Sequence, residues 1–171
     1  MTSNPDAPVA APAAPIAVVA AHGDLAAGLV SAVAQITGRG DLLLAMTNRG
    51  LGPSEIEARL REVLDTCGVR AVFTDLQGGS CTMAARRIQR ERPELSVATG
   101  VNLATLLDFV CTVDARSAGG SGGPAADGVT AGDVARAVER GRATLATSAP
   151  PAASTAPVAP PAPLTPPARA S

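Results

Sequence analysis

Four short apolar runs alternate with segments patterned for helices, and this alternation limits the chain to very few architectures. The runs are Ile16 to Ala21, Asp41 to Met46, Val69 to Thr74 and Leu95 to Thr99. Between the first two, Leu25, Leu29, Val33 and Ile36 recur at helical spacing, and Gly38 stands where a C-terminal cap belongs. Pro53 and the pair Ser54 and Glu57, spaced as a capping box, predict the next helix, with Ile56, Leu60, Val63 and Leu64 facing inward. A third helix carries Met83, Ala84 and Ile88 inward and Arg86, Arg87, Arg90 and Arg92 outward, and Pro93 ends it. Asn102 is suited to cap a fourth, with Leu103, Leu106, Leu107 and Val110 on its apolar face. Thr130 and Asp133 open a fifth, bearing Val134, Val138 and Leu145. Strands joined through helices make right-handed crossovers. The expected class is therefore α/β: a doubly wound, mainly parallel four-stranded sheet with helices on both faces.

The two ends are poor material for a core. Of the 15 prolines, all but three fall in residues 1–15 and 148–171, among Ala, Ser and Thr. Such tracts have little apolar surface to offset the entropy of ordering them. The expected organisation is a disordered Pro/Ala-rich arm over 1–15, one folded domain over 16–147, and a disordered Pro/Ala-rich tail over 148–171. Residues 116–128, rich in Gly, Ser and Ala, read as a flexible excursion within it.

Composition then removes several function classes. A net charge of −1 and the absence of Trp and Tyr leave neither an electrostatic footprint nor stacking platforms for nucleic acid. The N-terminus lacks the basic and apolar regions of a signal peptide, and no stretch is apolar enough to span a bilayer. Cys67, Cys81 and Cys111 are odd in number and widely spaced, which indicates neither a disulfide framework nor a zinc site. A cytoplasmic domain without metal or cofactor is expected. The nucleotide signatures G-x-x-x-x-G-K-[ST] and G-x-G-x-x-G are absent. Gly119 to Gly123 matches the nucleophile-elbow spacing but has no strand before it.

Chemistry concentrates in two loops. His22, the single histidine, follows the first strand and precedes Gly23. Asp75 ends the third strand and is followed by Gly78, Gly79 and Ser80, which opens a helix. In open parallel sheets the working groups lie beyond the carboxyl ends of the strands, where strand order reverses. If the first and third strands are neighbours, as in the flavodoxin-like order, His22 and Asp75 meet. A neutral imidazole is a nucleophile, and a carboxylate on its other nitrogen fixes the tautomer. Gly78, Gly79 and Ser80 at a helix N-terminus form a cradle for phosphate oxygens. Cys81 in the same turn reads as a packing residue.

Three segments together resemble one family: His22-Gly23-x-x-Ala26-x-Gly28-Leu29, Thr74-Asp75-Leu76-x-Gly78-Gly79-Ser80, and Thr99-Gly100-Val101-Asn102-Leu103 with Leu106 and Leu107. They are similar to the IIA component of the mannose/fructose/sorbose family of the phosphoenolpyruvate-dependent sugar phosphotransferase system. That resemblance implies a phosphohistidine carrier, a phosphotransferase that receives its phosphoryl group from HPr on His22 and passes it to a IIB component. It further implies that Asp75 orients the imidazole, that Gly78, Gly79 and Ser80 hold phosphate, and that Asn102 supports the site. A homodimer with an exchanged terminal strand and association with IIC/IID permease subunits at the inner face of the membrane are also implied. Here the segment after Gly141 is short and Pro-limited, so the exchanged strand and a fused IIB domain are not expected. Gln77 stands where an apolar aromatic is usual, and Cys81-Thr82 replaces a common Pro. Alternative roles are a regulatory stand-alone phosphoprotein, a relative of the dihydroxyacetone-kinase phosphoryl donor and, remotely, a Ser80/His22/Asp75 hydrolase.

Overall fold

The computed structural model describes residues 14–118 and 128–146. The expectations of a disordered arm and tail, and most of the Gly/Ser excursion, lie outside the described residues. The elements run β1 (Ala17–Ala21), α1 (Leu25–Thr37), β2 (Leu43–Thr47), α2 (Pro53–Cys67), β3 (Ala71–Thr74), α3 (Ser80–Glu91), β4 (Ser96–Thr99), α4 (Leu103–Ala118) and α5 (Ala131–Ala143). All strands pair in parallel in the order β2-β1-β3-β4. β1 is therefore central, and the order reverses between it and β3. This is the expected α/β class and the expected neighbourhood of the first and third strands.

Side chains alternate across the sheet, and each face takes its own helices. Val19 and Ala21 of β1 join Phe73 of β3 beneath α1, α4 and α5, through Ala26, Val33, Leu106, Phe109, Val110, Val134 and Ala137. Val18, Ala20 and Val72 point the other way, onto α2 and α3, through Ile56, Leu60, Ala84, Ala85 and Ile88. All five residues of β1 are buried, because both faces are covered. The two phenylalanines meet edge-on, with ring centroids 5.0 Å apart, and give the first layer its bulk.

Local chemistry moves several boundaries. Gly40–Leu42 is a single 3-10 turn, so β2 begins at Leu43 rather than Asp41. Pro53 takes the first helical position of α2, which its fixed φ suits. The cap is therefore Gly52, whose N–H donates to Glu55 Oε2 at 2.6 Å. Glu57, expected in the capping box with Ser54, instead accepts from Arg61 and Arg87. Met83, Leu25, Ile36 and Leu145, expected inward, are exposed. α1 packs instead through Ala26 and Val33 with Leu29 and Val30, and Leu145 lies past the end of α5.

Helix α4 continues through Arg116 to Ala118, into the stretch expected to be irregular. Arg116 reaches the buried Asp133 of α5 with bonds of 3.0 and 3.1 Å. Asp133 also closes the expected capping box with Thr130. Burial alone would raise the Asp133 pKa. The bonds from Arg116 and Thr130 outweigh it and hold the carboxyl below its ordinary value.

Candidate functional site

β1 ends at Ala21 and β3 at Thr74, and the register pairs Ala20 with Thr74. His22 and Asp75 therefore leave adjacent strands side by side. Gly23 takes a φ of +56°, which L side chains rarely adopt, and so turns the chain sharply after His22. The Asp75 Oδ2 accepts from the His22 main-chain N–H at 2.9 Å and lies 2.8 Å from its Nδ1. Burial of Asp75 pushes its pKa up, but the two bonds from His22 prevail and leave the carboxyl below its ordinary value. An ionised carboxylate can only accept, so Nδ1 carries the proton and Nε2 holds the lone pair. The imidazole is half exposed while Asp75 is nearly enclosed. Nε2 makes no hydrogen bond among the described residues. The arrangement is an oriented nitrogen nucleophile open to solvent.

The N-terminus of α3 flanks this ring. Gly79 is the cap and Ser80 the first helical residue, so Ser80 sits one position further into the helix than an N-cap. The Gly79 N–H is committed to the Leu76 carbonyl at 2.9 Å. The first N–H groups of a helix, here those of Ser80, Cys81 and Thr82, have no acceptor inside it and carry the positive end of its dipole. Gly79 has a second, steric role: a Cβ there would lie 3.2 Å from His22 Cε1 and 3.1 Å from the Leu76 carbonyl oxygen. The ring rests against bare backbone. Gly78 has open space around it.

Thr82 braces the loop from beneath. Its buried hydroxyl donates to the Leu76 carbonyl at 2.7 Å and takes a hydrogen bond of 2.6 Å from Thr74. Burial pushes the Cys81 thiol pKa up, and the Asp75 charge adds to it, which fits a packing cysteine rather than a reactive one.

The end of β2 and the loop that follows it lie against these groups, and their sequence was not singled out for the site. The Asn48 Nδ2 donates to Ser80 Oγ at 3.3 Å. Thr47 Oγ1 donates to the Gly23 carbonyl at 2.7 Å, and Arg49 pairs with Asp24 at 2.9 Å. Asn102 lies apart from these contacts. Its Oδ1 accepts from the Thr105 N–H at 2.9 Å, which caps α4, and its Nδ2 donates to the Gly141 carbonyl at 3.2 Å. It ties the loop after β4 to α5. Among the described residues no group of His, Cys, Asp and Glu is arranged to hold a metal ion. No described helix is long and apolar enough to cross a membrane.

Residues 16–121 match the family model EIIA-man, described as the PTS system fructose IIA component. The chain belongs to the EIIA-man family. The matched range contains His22, Asp75, Ser80 and all four strands.

Solved structures agree with this membership. The EIIA-man fold here is similar to the mannose/sorbose specific IIA subunit of the phosphotransferase system from Enterococcus faecalis. That comparison has a TM-score of 0.59 and 25% identity over 80% of this chain and 96% of that one. The phosphotransferase system component EIIA from Streptococcus agalactiae shares the fold with a TM-score of 0.60 and 18% identity, over 77% and 95% of the two chains. So does the PTS IIA protein associated with the fucose utilization operon from Streptococcus pneumoniae, at 0.59 and 20%, over 77% and 90%. No curated protein matches the sequence significantly. EIIA-man membership and this fold support a phosphocarrier role in the phosphotransferase system.

Proposed function

We propose that the protein is a phosphohistidine carrier that accepts a phosphoryl group from HPr on His22 and passes it to a IIB component during sugar uptake. One observation carries this reading. Asp75 engages Nδ1 at 2.8 Å and leaves Nε2 open beside the free N–H groups of α3. In this reading Nε2 attacks phosphorus and the imidazolium that forms faces the ionised Asp75. The phosphoryl oxygens lie toward Ser80 and the helix N-terminus, with Gly78 and Gly79 shaping the approach. Asn102 supports the site at one remove by holding α4 and α5 to the sheet. No cofactor takes part.

The same family reading makes the protein a transferase and gives IIB its IIC/IID membrane partners, with this chain working at the cytoplasmic face. A homodimer is supported by the edge strand β4, beside which Val97, Ala98, Val134 and Val138 line a groove of about 480 Å³. The hydrolase reading is disfavoured. Ser80 Oγ is bonded by Asn48, and no hydrogen bond joins it to His22 among the described residues.

Incubation with phosphoenolpyruvate, enzyme I and HPr tests the carrier reading. The expected product is one acid-labile, base-stable phosphate that disappears in His22→Ala. A folded wild-type protein that takes no label would overturn it. Onward transfer to a IIB component separates carriage from a purely regulatory phosphoprotein.

A further inference from the structure

The loop after β2 is pinned against the loop that carries His22. Asn48 N–H donates to the Ala21 carbonyl at 3.3 Å, Thr47 Oγ1 to the Gly23 carbonyl at 2.7 Å, and Arg49 N–H to Thr47 Oγ1 at 3.1 Å. These bonds bring the Arg49 guanidinium over the residue that follows His22. Its Nη2 lies 3.6 Å from where a Cβ on Gly23 would stand. From the same loop Asn48 reaches Ser80 Oγ across the site. One short segment therefore contacts both the turn that follows His22 and the first residue of α3.

Arg49 is held by Asp24 alone among the described residues. The side chains of the pair are 65% and 83% exposed, so the pairing adds little to stability. It holds a cation beside Gly23, the residue after His22, while leaving it free to change partner. A phosphoryl group on nitrogen presents more negative charge than one carboxylate, and its oxygens match the guanidinium fork.

We propose that Arg49 is the cationic ligand of the phosphoryl group on His22, leaving Asp24 as that group arrives, and that Asn48 is a positioning residue for the Ser80 hydroxyl. This rests on the phosphocarrier reading and adds to it a residue that the family resemblance did not single out. In the transfer step the Nε2 lone pair forms a new P–N bond while the donor's P–N bond breaks, its electron pair returning to the donor nitrogen. The Nδ1 proton stays in place, so His22 becomes a phosphorylated imidazolium against the Asp75 carboxylate. Charge on the three equatorial oxygens is met by Arg49 on one side and by the α3 N–H groups on the other. Asn48 donates into a lone pair of Ser80 Oγ, which leaves the Ser80 proton free to point at the same oxygens.

The test uses the full chain phosphorylated through HPr, with ³¹P NMR titration of the phosphoryl group and the transfer rate as readouts. The charged groups facing the phosphoryl group are Arg49, Asp24, Asp75 and the α3 N-terminus. Arg49→Gln is expected to raise the last phosphoryl ionisation by about half a pH unit or more, as loss of a nearby charge does at a solvated site. It is also expected to slow transfer roughly 10-fold. Arg49→Lys restores the ionisation but only part of the rate, because it keeps the charge and loses the fork. Asn48→Ala and Ser80→Ala are expected to slow transfer by similar factors and to be non-additive when combined. If wild type carries phosphate on His22 while Arg49→Gln matches it in both ionisation and rate, the Arg49 assignment is wrong and the carrier reading stands. If Asn48→Ala and Ser80→Ala multiply as independent effects, the positioning role is wrong. If wild type itself takes no phosphate, the carrier reading fails first and this proposal fails with it.

Discussion

The Asp75 Oδ2 takes both the main-chain N–H of His22, at 2.9 Å, and its imidazole Nδ1, at 2.8 Å. One oxygen thus fixes the backbone and the ring of the same residue. The other oxygen, Oδ1, is buried with no hydrogen-bond partner among the described residues. The carboxylate is spent on His22.

Asp75→Asn should test that commitment. The atom that faces Nδ1 must also accept from the His22 main-chain N–H, so the amide keeps its oxygen there and the Nδ1–H tautomer is retained, while the negative charge facing the imidazolium is lost. Transfer should fall by roughly 100-fold, the order expected when electrostatic support of a reacting group is removed, with the circular dichroism spectrum unchanged. Nitrogen-15 spectra of the imidazole should show the proton still on Nδ1, and transfer at the wild-type rate would remove the Asp75 charge from this role.

Acid should erode stability through the same residue. The folded pKa of Asp75 lies below its unfolded value, so the folded state binds the proton less readily. Its contribution is fully present above the ordinary carboxylate range, near pH 4, and is lost as pH falls through the lowered folded value. Urea titrations between neutral pH and pH 3 should show wild type losing more stability than Asp75→Asn over that interval. Asp133, shifted the same way by Arg116 and Thr130, contributes equally to both proteins and cancels in the difference.

Gly79→Ala should cost activity more than stability. The φ of −74° suits alanine, so the backbone is not strained. The new methyl must nevertheless press on His22 Cε1, and displacing a reacting group by a fraction of an ångström is costly in rate. Transfer is expected to slow about 10-fold, with a small fall in melting temperature because the methyl also stands 3.1 Å from the Leu76 carbonyl oxygen and alanine is a poorer N-cap than glycine.

Thr82→Val should do the reverse. It keeps the shape but removes the hydroxyl that serves the Leu76 carbonyl and the Thr74 hydroxyl. A loss of about 1–2 kcal/mol in chemical unfolding is expected for two hydrogen bonds removed, since the Leu76 carbonyl keeps the Gly79 N–H and the Thr74 hydroxyl can turn to the Ala98 carbonyl.

Gly141→Ala should destabilise the α4–α5 pair. An added Cβ would collide with Thr105 Oγ1 and crowd Asn102 Oδ1. Because these groups cap α4, relief requires α5 to move, at about 1–3 kcal/mol. Thermal unfolding is the measurement.

The strand pattern carried the fold and half of the site. His22 and Asp75 could be read because each interrupts an apolar run at its carboxyl end, and topology alone then joins them. The inward stripes of the helices were less legible. In an Ala-rich helix such as α1 the buried Ala26 gives no stronger signal than its exposed neighbours, so the larger Leu25 and Ile36 misdirect the reading. The start of α2 was legible in principle, since Pro53 at the first helical position makes Gly52 the cap and brings Glu55, not Glu57, within reach. Asn48 and Arg49 sit in a loop without periodicity. Their role depends on the β1–β2 register, which no local pattern of theirs reveals.

The central place of β1 also bears on when the site comes into being. His22 is made early, in a β-α-β segment that holds no partner carboxylate, and Asp75 lies 53 residues further along. Their meeting needs a contact between distant parts of the chain, the kind formed late because loop-closure entropy must be overcome first. A nascent or truncated chain ending before β3 would therefore display a histidine with no tautomer control. In the carrier reading, competence to carry phosphate thus requires the β1–β3 pairing, and a phosphorylation assay doubles as a census of molecules in which that pairing has formed.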